Sequence, residues 1–196
     1  MGLGRREASC KPASMNPAPA LKRKTIALVG LMGVGKTSIG RRLAAALGLP
    51  FCDADDEIER AADRTVSEIF ADLGEAEFRA GERRVIARLL DEPPHVLATG
   101  GGAFVQPDTR ALIKAKAISV WLRADTEVLV RRVGRKDSRP LLRGKDPREV
   151  LAGLAAARDP AYAEADVHVE VGESSHQAAV DAVLAALTAH LEGQSQ

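Results

Sequence analysis

Short apolar runs ended by glycine or proline alternate along this chain with stretches whose apolar residues recur every three or four positions. The first run, Thr25-Ile26-Ala27-Leu28-Val29, stops at Gly30; an uninterrupted apolar run of this length predicts a buried strand of a parallel sheet. Ile39, Leu43 and Leu47 then fall at helical spacing and Gly48 stops them, predicting a helix over 36–47. A second strand is predicted at 49–52. The acidic stretch behind it carries helical pattern, and Thr65 with Glu68 makes a capping box ahead of Ile69 and Phe70. A longer helix is predicted over 75–90. Beyond Pro93-Pro94, Val96-Leu97-Ala98 forms a third run stopped by Gly100-Gly101-Gly102, and 117–122 a fourth. Asp125 or Thr126 caps a helix carrying Val128, Leu129, Arg131 and Arg132. Val167, Val169 and Val171 alternate as a late strand, and Val180, Val183, Leu184, Leu187 and Leu191 line one face of a closing helix. Strands alternating with helices need crossover connections, so the pattern predicts an α/β fold of three layers with a mainly parallel sheet. Ligands of such folds sit at the carboxyl ends of the strands.

At 196 residues the chain has room for one domain. Residues 1–23 mix Pro, Ala, Ser and basic residues without periodicity and read as a flexible extension ahead of a single domain at 24–196. Hydrophobic residues at 45% and charged residues at 28% exclude a wholly disordered chain. The 28 Lys and Arg against 27 Asp and Glu leave a formal charge of +1, without the basic footprint of a nucleic-acid binder. No apolar run approaches the roughly 18 residues that crossing a bilayer needs, and residues 1–20 hold no signal-like stretch, so no membrane partner and a cytoplasmic location are expected. Cys10 and Cys52 imply no disulfide framework, and the four histidines lack metal-ligand spacing. Trp121 is read as a core residue.

Gly30-Leu31-Met32-Gly33-Val34-Gly35-Lys36-Thr37 matches GxxxxGK[ST] between a predicted strand and a predicted helix, the context this phosphate-binding loop requires. Its glycines let backbone N–H groups turn toward phosphate oxygens, and the helix N-terminus adds partial positive charge. Lys36 reaches the β and γ phosphates, and Thr37 offers a hydroxyl to Mg²⁺. ATP or GTP binding follows. Four other clusters bear on the phosphate acceptor. Asp53 and Asp55 alternate at the end of the second strand, so one of them faces Mg²⁺ or an acceptor hydroxyl. Asp56, Glu57 and Glu59 read as a solvated helix start. Gly100, Gly101 and Gly102 allow close approach of a ligand, or else make an ordinary flexible loop. Arg79 and Glu82 share a helix face and form either an oriented pair or a surface ion pair of little worth. Between Arg131 and Arg148, eight basic and two acidic residues are interspersed with Gly134, Pro140, Gly144 and Pro147. This reads as a mobile lid at about 134–148 that closes on polyphosphate, with Arg139 supplying a positive group to the transferring phosphoryl.

Taken in order, the phosphate loop, Asp53-Ala54-Asp55, Phe78-Arg79 with Glu82, the glycine run, Arg139-Pro140-Leu141-Leu142 and Arg158-Asp159-Pro160-Ala161-Tyr162 resemble the shikimate kinase family across about 24–191. The resemblance implies a nucleoside-monophosphate-kinase-like fold with a five-stranded parallel sheet, a helical substrate-binding region and a lid. It implies transfer of the γ-phosphoryl of ATP to the 3-hydroxyl of shikimate using Mg²⁺; a monomer is expected. Asp55 resembles the aspartate that holds the acceptor hydroxyl and takes its proton, and Arg79 and Arg158 the pair that grips the acceptor carboxylate, with Glu82 orienting them and Gly100 to Gly102 meeting substrate through their backbone. Lys36 and Arg139 would neutralise the γ-phosphoryl. Gly33, Val34, Gly35, Lys36, Thr37 and Ser38 would hold the nucleotide with Arg132 against adenine, and Thr37 and Asp53 the metal. Ala161 departs from the bulkier residue usual before Tyr162, and Glu173 to His176 match no adenine-loop motif. Two rivals remain at this stage. A gluconate or nucleoside monophosphate kinase would share cradle and lid without needing two carboxylate-gripping arginines. A nucleotide sensor that lost turnover predicts damage at Asp55, Arg79, Arg139 or Arg158, and all four are intact.

Overall fold

The computed structural model describes residues 19–133, 146–172 and 175–194. Five strands form one sheet: β1 (Thr25–Val29), β2 (Phe51–Asp53), β3 (Val96–Ala98), β4 (Ala117–Arg123) and β5 (Val167–Glu170). Their order is β2-β3-β1-β4-β5, and every pairing is parallel. The uninterrupted apolar run of β1 suits its central place: Ile26 lies beside Val96 on one side and Ile118 on the other, and all five β1 residues are buried. β5 alternates buried and exposed residues, as an edge strand with one solvated face does.

Among the described residues seven helices flank the sheet: α1 (Lys36–Leu47), α2 (Ala54–Ala62), α3 (Val66–Leu90), α4 (Pro107–Lys116), α5 (Thr126–Val133), α6 (Pro147–Tyr162) and α7 (His176–Gly193). α1 buries Ile39, Leu43 and Leu47, ends on Gly48 as expected, and packs against α7. The Thr65–Glu68 capping box opens α3. α3 is two helices joined at Gly74, whose φ of 80° and ψ of 172° break the helical path, so the helix expected at 75–90 is its second half.

Several boundaries differ from the sequence reading. β2 begins at Phe51 rather than 49: the Pro50 carbonyl accepts the Val96 N–H at 2.9 Å as the first rung of the ladder, and Pro50 has no N–H to extend the pairing further back. α4 and α6 were not anticipated. Leu21, assigned to the flexible extension, is fully buried within a short 3-10 turn, Pro19–Arg23, that packs on α7. Of the expected lid, 134–145 lie outside the described residues; Pro147 and Arg148, at its far end, form the first turn of α6, which Asp146 caps. Glu57 is not merely solvated: it joins α2 to Arg88 of α3 at 2.6 Å, and Glu59 accepts the Val66 N–H at 2.8 Å.

Candidate active site

A cleft of about 560 Å³ opens along the carboxyl ends of β1, β2 and β3. Its phosphate side is the loop between β1 and α1. Gly30 adopts a φ of 135°, and a Cβ there would collide with the Leu122 carbonyl of β4, so only glycine lets the loop leave the sheet at this point. Gly33, Val34, Gly35, Lys36, Thr37 and Ser38 all line the cleft. Lys36 Nζ lies folded over its own loop, donating to Gly30 O at 2.8 Å and Leu31 O at 3.0 Å. Arg132, at the end of α5, donates to Val34 O at 3.1 Å and Gly172 O at 2.7 Å. It thereby ties the phosphate loop to the segment after β5, where Val171 and His176 also face the cleft.

Asp53 and Asp55 divide their work. Asp53 caps α2: its Oδ1 accepts the Asp55 N–H at 3.1 Å, and its Oδ2 accepts the Thr37 hydroxyl at 2.8 Å. Two hard oxygen donors therefore stand together beside the cradle. Asp55 points from the first turn of α2 into the cleft. Solvent reaches it through the open mouth, yet loss of hydration at depth and the neighbouring Asp53 push its carboxyl up to about 6, against the pull of Lys36.

The glycine run is packed by charged side chains, so the plain flexible-loop reading fails. A Cβ on Gly100 would lie 2.8 Å from Glu82 Oε1 and 2.9 Å from Asp55 Oδ1. On Gly101 it would lie 3.3 Å from Arg158 Nη1, and on Gly102 it would strike the Arg79 guanidinium. Gly100 makes room for two groups of the expected acceptor site, and Gly101 and Gly102 for one each.

Arg79 and Glu82 are likewise no ordinary surface pair. Glu82 is 1% exposed, and its Oε2 accepts Arg79 Nη1 at 2.7 Å. Burial raises the Glu82 carboxyl pKa, opposed by the Arg79 charge; its Oε1 has no hydrogen-bond partner among the described residues. Arg79 also meets Glu75 at 3.3 Å and lies 5.1 Å over the Phe78 ring and 6.0 Å over that of Phe70. Glu82 does not bond Arg158, whose Nη1 instead donates to Gly101 O at 3.0 Å. The structure thus gathers every expected site residue except Arg139, which lies outside the described residues. Sequence reasoning missed Phe70 and Thr99, both on the cleft wall, and the bond from the Tyr162 hydroxyl to Gly101 O. Thr99 Oγ1 donates to Leu28 O at 3.0 Å, holding the start of the glycine run against β1.

The family model described as shikimate kinase matches residues 32–188. The chain belongs to the shikimate kinase family. A shikimate kinase of Caulobacter vibrioides (strain NA1000 / CB15N) is 72% identical over 167 residues, 85% of this chain and 84% of that protein. One of Paramagnetospirillum magneticum is 57% identical over 169 residues, covering 86% and 87%. Among solved structures, a shikimate kinase from Acinetobacter baumannii in complex with shikimate superposes with a TM-score of 0.82 at 38% identity, covering 87% of this chain and 96% of that one. Membership makes the protein an ATP-dependent kinase, and the five-stranded parallel sheet is the family's fold. A gluconokinase from Sinorhizobium meliloti 1021, 20% identical at a TM-score of 0.58, shares the fold alone, so the gluconate rival gains nothing from it.

Proposed function

We propose that this kinase transfers the γ-phosphoryl of ATP to the 3-hydroxyl of shikimate, giving shikimate 3-phosphate and ADP, as a monomer in the cytoplasm. The observation that carries this is the convergence on one glycine run, beside the phosphate cradle, of a carboxylate with raised proton affinity and two arginines. A cyclic acid with neighbouring hydroxyls fits that set. Two planar guanidinium forks suit its carboxylate, and an aspartate suits its hydroxyl.

Arg79 and Arg158 bind the acceptor carboxylate and so orient the ring. Glu82 holds one face of Arg79, leaving the rest of the fork for the substrate. Asp55 accepts a hydrogen bond from the reacting hydroxyl and takes its proton as the new O–P bond forms, a role favoured by a pKa of about 6, near the working pH. Lys36 leaves the carbonyls of Gly30 and Leu31 for the phosphates, where its charge offsets what develops on the transferring oxygens. Arg139 is given the same task by the resemblance alone. Arg132, already joining Val34 O to Gly172 O, forms a wall for the adenine.

The hydroxyl of Thr37 and the carboxylate of Asp53 fit Mg²⁺, which prefers a few hard protein oxygens completed by water and phosphate. When bound, the ion supplies positive charge to the β- and γ-phosphates. Because Asp53 also caps α2, the metal pair and the helix presenting Asp55 are one rigid unit. No helix among the described residues is long and apolar enough to cross a membrane, and the proposed groups other than Arg139 line one cleft of a single chain.

ADP release with Mg²⁺-ATP, compared across shikimate, gluconate, AMP and no acceptor, tests the reading. Release that depends on shikimate alone is expected; turnover with gluconate or AMP instead overturns the carboxylate clamp.

A further inference from the structure

Gly101 presents one carbonyl oxygen to two donors from the same helix. Arg158 Nη1 reaches it at 3.0 Å, and the hydroxyl of Tyr162, one turn further along α6, donates to the same atom. A carbonyl oxygen has two lone pairs, so α6 engages both. Tyr162 is wholly buried. A buried hydroxyl is costly unless it is bonded, and phenylalanine would fill the same space without that demand. Burial also pushes the phenol pKa up to about 12, so the O–H remains a donor at every physiological pH. The ring leans on Trp121 at the end of β4, with centroids 5.9 Å apart, and Trp121 meets His168 edge-on. Tyr162 is therefore held from the sheet side while its hydroxyl reaches the acceptor side.

The consequence falls on Arg158. A carbonyl within a run of three glycines has no side chains of its own to set its direction. Bonded to Arg158 alone, it would turn with the guanidinium, and the fork would lose its aim. A second donor on a rigid buried ring removes that freedom. We propose that Tyr162 is a positioning residue of the acceptor site: by fixing the Gly101 carbonyl it aims the Arg158 guanidinium at the acceptor carboxylate. Tyr162 touches no substrate atom in this scheme; it acts through Gly101 and Arg158. The inference rests on the reading above in which Arg158 binds that carboxylate.

The test uses four full-length proteins: the parent chain, Tyr162→Phe, Arg158→Ala and the double variant. Steady-state constants for shikimate and ATP are measured together with shikimate dissociation constants by calorimetry. Tyr162→Phe is expected to raise the shikimate KM and Kd about five- to tenfold, as loss of one buried hydrogen bond does. The kcat and the ATP KM should stay within about twofold. In the Arg158→Ala background the same change should add nothing, because the group it positions is gone. A purely structural tyrosine would instead lower the melting temperature and shift both substrates alike. An equal effect in the two backgrounds, an unmoved shikimate KM, or an equal rise in the ATP KM overturns the proposal. If Arg158→Ala leaves shikimate binding intact, the carboxylate clamp itself falls and takes this inference with it. If Arg158→Ala weakens binding and Tyr162→Phe does not, only the positioning role falls. Should Tyr162→Phe fail to fold, Trp121→Phe removes the sheet-side support of the ring and keeps both donors; the same selective rise in shikimate KM is expected, and its absence overturns the role.

Discussion

Asp55 pays for its chemistry in stability. Its carboxyl is held up to about 6 in the fold against a reference near 3.8, so folding favours the protonated form. The contribution to stability is fully present below the unfolded value and is lost as pH rises through about 6. Asp55→Asn, permanently neutral, should therefore melt higher than the parent at pH 7 to 8 and no higher at about pH 3, below the unfolded value. Solvent in the open cleft screens the charge, which keeps the gain to about 1 kcal/mol. Phosphoryl transfer in that variant should be lost while ATP binding persists, and equilibrium nucleotide titration separates the two effects. In the parent, kcat/KM for shikimate should fall as pH drops below about 6, as the base becomes protonated before substrate binds. Arg79→Ala and Arg158→Ala should each weaken shikimate binding by roughly 1.5 to 3 kcal/mol with little change in ATP affinity. At this scale much of the site was legible, because Lys36, Thr37 and Asp55 sit in short motifs whose spacing is local. The burial of Glu82 was not legible. A glutamate three residues after an arginine looks the same on a solvated face, and only the approach of Gly100 from β3 encloses it.

Gly74 decides the shape of an element. Between the two halves of α3 it takes φ 80° and ψ 172°, and nothing lies within 4 Å of where a Cβ would stand. Replacement by alanine therefore meets backbone strain and no clash. Gly74→Ala should cost about 1 to 2 kcal/mol, read as a lower melting temperature. It should also raise the shikimate KM, because Glu75 and Arg79 follow directly on the rebuilt turn. Strands and caps were the most legible elements: β1, β3 and the Thr65 capping box stand where local pattern put them. α4 and α6 were missed for identifiable reasons. α4 buries only Thr109 and Ile113, too few for a helical stripe. α6 starts within a basic stretch, buries only Leu151 and Tyr162, and carries Pro160 in its last turn. What announces both helices is proline in the first turn, and for α6 an aspartate cap before it, a cue the apolar period does not contain. Ion pairing joins the two helices that flank 134–145: Arg148 grips Glu127 through both nitrogens, at 2.6 and 2.7 Å.

Across the whole molecule, the core reaches further toward the N-terminus than composition suggests. Leu21 is fully buried and belongs to the main hydrophobic cluster, although the residues before it read as a polar tail. Leu21→Ala should lose about 2 to 4 kcal/mol in chemical unfolding, in the range of core leucine truncations, and leave kcat unchanged well below the melting temperature. The other end of the fold's logic is the seam between β4 and α6. There Trp121, the one tryptophan of the chain, is 7% exposed, with His168 5.3 Å away and the Arg123 guanidinium 5.4 Å over its ring. An indole in that position is a lamp with a single address. Its emission comes from the place where the sheet hands its rigidity to the helix that carries Arg158, so parting of that seam registers as a red shift in one optical signal, read without dye, label or coupling enzyme.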